Sequence, residues 1–174
     1  TRFKQLLDLS NAPKPSNTNI GFDRRRKRCQ TRKIEIIQST YMTHFNGIYR
    51  TTDHDINAFP QSDPITVHHF DSENPGPHLL MLSGIHAGTE SIPTAASYTA
   101  INMIKDGMLP LTRGKITFIP LCNPLALIEK KRFVDVNLNR VMHKHDTPKF
   151  YEEHIANIIT DYIDGADAVI DLHT

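Results

Sequence analysis

The feature that most constrains this sequence is a continuous apolar run, Leu79–Leu82, that follows the chain-breaking triplet Pro75-Gly76-Pro77. A half-buried strand alternates polar and apolar residues, whereas an unbroken run suits a strand that is buried on both faces of an α/β sheet. A second, mostly apolar run, Ala168–Leu172, contains Asp171 and is likewise predicted to be a buried strand near the end of the sequence. We therefore predict a sheet whose later strands are covered by helices.

Helical and strand patterns fill the chain between and before these two runs. Ser91–Lys105 has its apolar residues on one helical face, and Gly107 follows as a stop. A second amphipathic helix is predicted over Lys149–Ile163. The remaining predicted segments are strands at Lys33–Gln38, Phe45–Arg50, Ile65–Phe70 and Lys115–Leu121, and an irregular stretch at Cys122–His145. This order predicts an α/β fold with a mixed, mostly parallel sheet flanked by helices and an antiparallel portion near its start.

Size and charge narrow the class of protein. A chain of 174 residues is long enough for one domain with a real core, and its net charge of +1 argues against nucleic acid or a membrane surface as the main partner. No stretch reaches the roughly 18 apolar residues of a membrane-spanning helix, and the N-terminus has no signal-peptide pattern. Cys29 and Cys122 lack a metal-ligand spacing, and two unpaired thiols fit a reducing compartment. We therefore expect a cytoplasmic protein.

The first 32 residues are polar, contain prolines and include the basic run Arg24–Arg28. We predict that residues 1–32 form a solvated N-terminal extension. The alternative is a patch that binds nucleic acid or directs targeting, which would make binding salt-sensitive.

Three polar segments follow predicted strands, and they contain His86, the stretch Asn123–Arg140, and His173. Because ligands of open α/β sheets bind beyond the carboxyl ends of the strands, we expect these segments to converge. Catalytic zinc commonly takes two histidines and one carboxylate and keeps one position open for water. His86, Glu90 and His173 provide such a set, so they are the predicted ligands of one Zn²⁺ per chain.

The irregular stretch adds residues suited to a carboxylate substrate. Arginine presents a planar fork that matches a carboxylate, and an adjacent asparagine adds a further donor. Arg132, Asn139 and Arg140 could together bind an anionic substrate next to the metal. The alternative is a surface loop with salt bridges.

Taken together, these residues resemble a known family. The ordered motifs are G-I-H-x-x-x-E at Gly84–Glu90, N-P-x-A at Asn123–Ala126, R-x-x-D-x-x-L-N-R at Arg132–Arg140 and I-D-L-H-T at Ile170–Thr174. They are similar to those of the succinylglutamate desuccinylase/aspartoacylase family, within the zinc carboxypeptidase clan. The resemblance implies a zinc-dependent hydrolase that cleaves the amide bond of a small N-acyl amino acid or a similar carboxylate-bearing substrate. Residues 33–174 would be the N-terminal part of the hydrolase domain.

Two departures from the family pattern bear on this expectation. The family usually spaces its first histidine and glutamate as H-x-x-E, whereas His86 and Glu90 are one residue further apart, which Gly88 could absorb. Relatives also carry a general-base glutamate beyond the third ligand. No glutamate of this sequence has that context, so the domain looks truncated at its C-terminus, the base is expected beyond residue 174, and the chain alone is expected to be inactive.

Two alternatives share the predicted ligands. A zinc carboxypeptidase would use the same zinc ligands and the same asparagine–arginine pair. A zinc-binding or partner-binding module without catalysis would fit the longer His–Glu spacing and the absent base. The surroundings of Asn123 and Arg132 favour the deacylase.

Overall fold

The computed structural model describes residues 45–173. Within this part of the chain five strands form one mixed sheet in the order β1-β2-β4-β3-β5. The strands are β1 (Ile48–His54), β2 (Ile65–Asp71), β3 (His78–Ser83), β4 (Lys115–Ile119) and β5 (Ala168–Leu172). The helices are α1 (Ser91–Lys105), α2 (Pro124–Ile128) and α3 (Tyr151–Asp164), with a 3-10 turn at Leu138–Arg140. The predicted strand Lys33–Gln38, the extension 1–32 and Cys29 lie outside the described residues.

The sheet combines parallel and antiparallel pairing as predicted. Strand β3 pairs in parallel with both β4 and β5. Strand β2 is antiparallel to β4 and to β1, so among the described strands only β2 runs against the others. The α/β class and the mixed, mostly parallel sheet are thereby confirmed, with the antiparallel portion at the start. The connections from β3 to β4 and from β4 to β5 contain helices, as parallel neighbours require.

A helix covers each face of the sheet with its own apolar cluster. On one face Ile101 and Ile104 of α1 pack with Phe70 and Phe118 of the sheet. On the other face the α3 residues Tyr151, Ile155, Ala156 and Ile159 pack against Val67, Leu80, Leu82 and Ile119. Leu80 and Ile119 are fully buried and lie on the central strands, which explains why those strands are apolar along most of their length. Among residues 45–173 no helix combines the length and apolarity needed to span a membrane.

Several element boundaries differ from the predicted ones, among them the end of β1 at His54 rather than Arg50, and three of the differences have local reasons. Strand β1 begins at Ile48 rather than Phe45, because the Phe45 ring turns away to pack on Phe70 at a centroid distance of 5.4 Å. Strand β4 ends at Ile119, just before Pro120, which has no N–H to donate. Helix α3 begins at Tyr151 rather than Lys149.

The start of α3 is set by a side chain in its first turn. Glu153 accepts hydrogen bonds from the backbone N–H groups of Lys149 at 2.7 Å and Phe150 at 3.2 Å. Both amides are thus satisfied by a carboxylate outside the helical ladder, which places the helix start after Phe150. The stretch predicted to be irregular, Cys122–His145, contains the short helix α2 and the 3-10 turn.

Candidate active site

Three segments that are far apart in the sequence meet where the parallel strands end. The loop after β3 begins at Gly84, the loop after β4 at Pro120, and His173 directly follows β5. Two hydrogen bonds continue the pairing beyond the strands: Cys122 N–H donates to the Ser83 carbonyl at 3.0 Å and Asn123 N–H to the Gly84 carbonyl at 3.1 Å. The convergence expected at this edge of the sheet is therefore present.

His86 and Glu90 form a buried pair at the centre of this edge. Each residue is only 1% exposed. His86 Nδ1 lies 2.8 Å from Glu90 Oε1, and the His86 N–H donates to Glu90 Oε2 at 3.2 Å. One nitrogen and one carboxylate oxygen, both zinc-binding atom types, thus face each other between two buried side chains.

The longer His–Glu spacing is absorbed by a tight turn. Thr89 N–H donates to the His86 carbonyl at 2.8 Å, so the chain folds back and returns the Glu90 carboxylate to the His86 ring. A Cβ atom built on Gly88 would lie 2.0 Å from the Lys131 carbonyl oxygen. Glycine is needed here because the Lys131 backbone passes close to it. Backbone φ is not the reason, since among the glycines of residues 45–173 positive φ is found at Gly84, Gly107 and Gly114.

The other nitrogen of His86 has a partner that the sequence reasoning missed. His86 Nε2 lies 2.9 Å from Asn137 Oδ1, and the same oxygen accepts from Asn139 N–H at 3.0 Å. Asn137 thus contacts Nε2, and Nδ1 is the ring nitrogen that faces Glu90. Asparagine before a turn is a capping signal, but that signal alone does not indicate a contact with a histidine 51 residues away.

His173 lies beside this pair on the partly exposed side of the site. Its ring centroid is 5.7 Å from that of His86, with the two planes at 73°. Asp171, placed by strand alternation on the same face, has Oδ2 2.7 Å from His173 Nδ1. Burial raises the pKa of the Asp171 carboxyl, and the neighbouring His173 opposes that shift. His173 Nε2 faces the side-chain amide of Asn139 at 3.5 Å.

The structure places His86 in direct contact with Glu90, and the His173 ring lies beside the His86 ring. Within residues 45–173 no group of three His, Cys, Asp or Glu side chains is arranged closely enough to hold a metal ion. His86 and Glu90 contact each other, whereas His173 is directed toward Asp171 and Asn139. The donor chemistry of two imidazoles and one carboxylate fits zinc.

The predicted substrate-binding residues lie on the rim. Arg132, Asn139 and Arg140 are all exposed, and the last two belong to the 3-10 turn. The turn is anchored by Leu138, which is fully buried in the core. Of the three side chains, only that of Asn139 makes a described contact with a predicted ligand, His173.

Four further histidines and Cys122 have partners away from this site. His68 contacts the Tyr49 hydroxyl at 2.8 Å, and His69 lies between the hydroxyls of Thr52 and Thr117. The rings of His143 and His145 stack on each other, with centroids 4.1 Å apart. Cys122 is a free, buried thiol, and burial raises its pKa. These contacts belong to the fold and lie away from the His86–Glu90 pair.

Solved structures share this fold. An aspartoacylase family protein from Mesorhizobium loti is 23% identical with a TM-score of 0.58, over 72% of this chain and 40% of its own. Succinylglutamate desuccinylase from Vibrio parahaemolyticus is 21% identical with a TM-score of 0.54, over 72% and 47%. An ectoine utilization protein from Ruegeria pomeroyi is 18% identical with a TM-score of 0.56, over 71% and 40%. The chain spans less than half the length of each of these proteins.

The fold is therefore an α/β fold similar to that of desuccinylase and aspartoacylase family proteins. The family model described as "Succinylglutamate desuccinylase/Aspartoacylase catalytic domain" matches residues 75–174, more than half of the chain. The chain belongs to this family of hydrolases. A comparison with curated proteins finds no match.

Proposed function

We propose that this chain provides the zinc-binding part of a hydrolase that cleaves the amide bond of a small N-acyl amino acid or a similar carboxylate-bearing substrate. His86, Glu90 and His173 hold one Zn²⁺, and Arg132, Asn139 and Arg140 bind the substrate carboxylate and carbonyl. Residues 33–174 are the N-terminal part of the hydrolase domain. The free thiol of Cys122 supports a reducing, cytoplasmic location.

The observation that carries this proposal is the buried contact between His86 and Glu90, with His173 beside it. A carboxylate and an imidazole that are each 1% exposed must compensate for the loss of water, and their mutual contact at 2.8 Å does so. A divalent cation would compensate more strongly, because it attracts both donors at once. Asn137 supports this role by holding the His86 ring through its other nitrogen.

The chemistry divides between the metal and the residues around it. Bound zinc would polarise the scissile carbonyl and lower the pKa of a water molecule toward neutrality. The guanidinium groups of Arg132 and Arg140 carry the positive charge that attracts the substrate carboxylate. The Asn139 side-chain amide, 3.5 Å from His173 Nε2, lies where it can donate to a substrate oxygen beside that ligand. We propose that the general base, a glutamate, comes from sequence beyond Thr174.

Zinc content per chain tests the metal site directly. We expect about one zinc per chain by elemental analysis, lost in the His86→Ala, His173→Ala double variant. His143→Ala is the matched control, because His143 is an exposed histidine whose described ring contact is with His145. Equal zinc in all three proteins, or none in the wild type, would contradict the proposed ligands.

A second assay tests the reaction. The full-length protein is expected to release amino acid from N-succinylglutamate or an N-acylaspartate, and a chelator should abolish this release. Cleavage of C-terminal peptide bonds instead would favour a zinc carboxypeptidase. Zinc binding without any hydrolysis would favour a non-catalytic module.

A further inference from the structure

Glu152, in the first turn of α3, is a fully buried carboxylate outside the proposed metal site. Its two oxygens accept four hydrogen bonds, and each comes from an uncharged donor. Oε1 accepts from the Asn123 side-chain amide at 3.0 Å and from Val134 N–H at 2.6 Å. Oε2 accepts from the N–H groups of Asp135 at 3.1 Å and Val136 at 3.0 Å.

Three of these donors are consecutive backbone amides of one loop. This loop, residues 134–136, lies in the sequence between Arg132 and Asn139, which are both proposed to bind substrate. A backbone held at three successive N–H groups has little freedom to shift or rotate. The carboxylate therefore sets the position of the loop between the residues that are proposed to contact substrate.

The loop binds the helix in return. Asp135 Oδ2 accepts from the Tyr151 N–H at 2.9 Å, the first residue of α3. The Tyr151 hydroxyl accepts from Leu125 N–H at 3.1 Å, and Asn123 Oδ1 accepts from Ala126 N–H at 3.2 Å, both in α2. The start of α3, the loop and the start of α2 thus form one hydrogen-bonded unit, with Glu152 contributing the largest number of bonds.

Using a buried carboxylate as the acceptor for backbone amides costs free energy, because the charge is removed from water. Its advantage is geometric: two oxygens in one rigid plane can meet several donors at once, and hydrogen bonds to a charged acceptor are stronger than neutral ones. The N-terminal end of α3 also favours the negative charge. This arrangement suits a loop whose side chains must be held in place.

We propose that Glu152 is a positioning residue for substrate binding: its carboxylate holds the backbone of residues 134–136 so that Arg132, Asn139 and Arg140 meet the substrate carboxylate. The role is indirect, because Glu152 is buried behind the loop. The inference rests on the proposed function for its substrate, but the hold on the loop can be tested separately.

The test compares Glu152→Gln with Glu153→Gln in the full-length protein. Glutamine at 152 keeps one acceptor but turns an NH₂ group toward backbone N–H donors. Within residues 45–173 the Glu153 carboxylate contacts Lys149 N–H, Phe150 N–H and His145, and none of the amides of residues 134–136. Both substitutions remove one negative charge from the first turn of α3. The control therefore loses the same favourable interaction between a carboxylate and the N-terminal end of the helix.

Amide hydrogen exchange measured by NMR shows how strongly the backbone N–H groups of residues 134–136 are protected. In the wild type, the amides of residues 134–136 should exchange far more slowly than that of exposed Arg132. In Glu152→Gln they should exchange at least about tenfold faster, and in Glu153→Gln at the wild-type rate. Equal exchange in both variants, or unprotected amides in the wild type, would overturn the proposal. The wild-type measurement decides the matter if Glu152→Gln does not fold.

Steady-state kinetics shows whether the position of the loop affects substrate binding. In Glu152→Gln, KM for the N-acyl amino acid should rise by about tenfold or more, since small misplacements of binding groups are costly, with zinc content unchanged. An unchanged KM would refute the role in substrate binding. If the wild type hydrolyses no such substrate, the proposed function fails, while the exchange rates still decide whether Glu152 holds the loop.

Discussion

Replacing Gly88 by alanine probes the turn that returns Glu90 to His86. The added Cβ would lie 2.0, 2.4 and 2.6 Å from the carbonyl oxygen, nitrogen and carbonyl carbon of Lys131. All three are backbone atoms, so no side-chain rotation can relieve the overlap. Either the turn or the segment around Lys131 must move, and the two meet at the proposed active site.

The expected cost follows from these distances. Overpacking that forces backbone shifts costs about 1–3 kcal/mol, and overlap with three backbone atoms places Gly88→Ala near the upper end. Alanine also restricts the unfolded chain, which returns about 0.4–1 kcal/mol. We therefore expect a net destabilisation of about 2 kcal/mol. A weaker zinc affinity should accompany it, because the displaced turn carries Glu90.

Gly165→Ala is the matched control. Its added Cβ would lie 3.6 Å from the Asp161 carbonyl oxygen and 3.8 Å from that of Tyr162, which are ordinary contacts, and its φ of −88° suits alanine. This variant should be as stable as the wild type or slightly more stable. Urea unfolding followed by circular dichroism gives both free energies. If the free energies of unfolding of the two variants differ by less than about 0.5 kcal/mol, within the usual scatter of surface substitutions, the close approach at Gly88 does not destabilise the alanine variant.

Two further predictions concern polar contacts. Asn137→Ala removes the oxygen that lies 2.9 Å from His86 Nε2 and orients the ring. Zinc affinity, measured by competition with a chromophoric chelator, should fall about 10–100-fold. An unchanged affinity would show that Asn137 does not orient this ligand. Burial lowers the pKa of both His68 and His69 from 6.5, so on acidification the unfolded chain takes up protons first. Their contribution to stability is therefore complete above pH 6.5 and is lost as the pH falls toward the lowered values. Tm measured across this range should fall more steeply in the wild type than in His68→Gln, His69→Gln, and equal slopes would contradict this assignment.

The predictable part of the fold follows from periodic patterns. Helix α1 spans Ser91–Lys105 as predicted, because its apolar residues recur at helical spacing and Gly107 with positive φ ends it. Strand β5 covers Ala168–Leu172 as predicted, but it lies at the edge of the described sheet with Ala168, Val169 and Asp171 exposed, so the prediction of a buried strand is wrong there. The meeting of His86 and His173 could be expected because parallel strands present their carboxyl ends at one edge of the sheet.

The rest depends on contacts that have no period. Glu152 looks from sequence like an ordinary acidic residue at the start of a helix, a favourable and common position. Its actual partners are backbone amides 16 to 18 residues away, and backbone amides have no sequence signature. Asn137 shows the same difference. Its capping bond to Asn139 N–H is local and can be predicted from the sequence, whereas its contact with His86 depends on the tertiary structure. Phe45 was wrongly included in a strand because strand propensity does not reveal that its ring packs on Phe70.

The pairing of β5 with β3 has a consequence for the order in which the chain folds. His86 and Glu90 are only four residues apart, so their contact can form as soon as the turn does. His173 directly follows β5, which pairs with β3 so that Ala168 lies opposite Leu79. Just before β5, the Asp167 carboxylate accepts a hydrogen bond from the His78 N–H, 89 residues away in the sequence. Closing so long a loop in parallel pairing is slow relative to local steps. We expect β5 to dock late, so that the site gains its third proposed ligand only when the sheet is nearly complete.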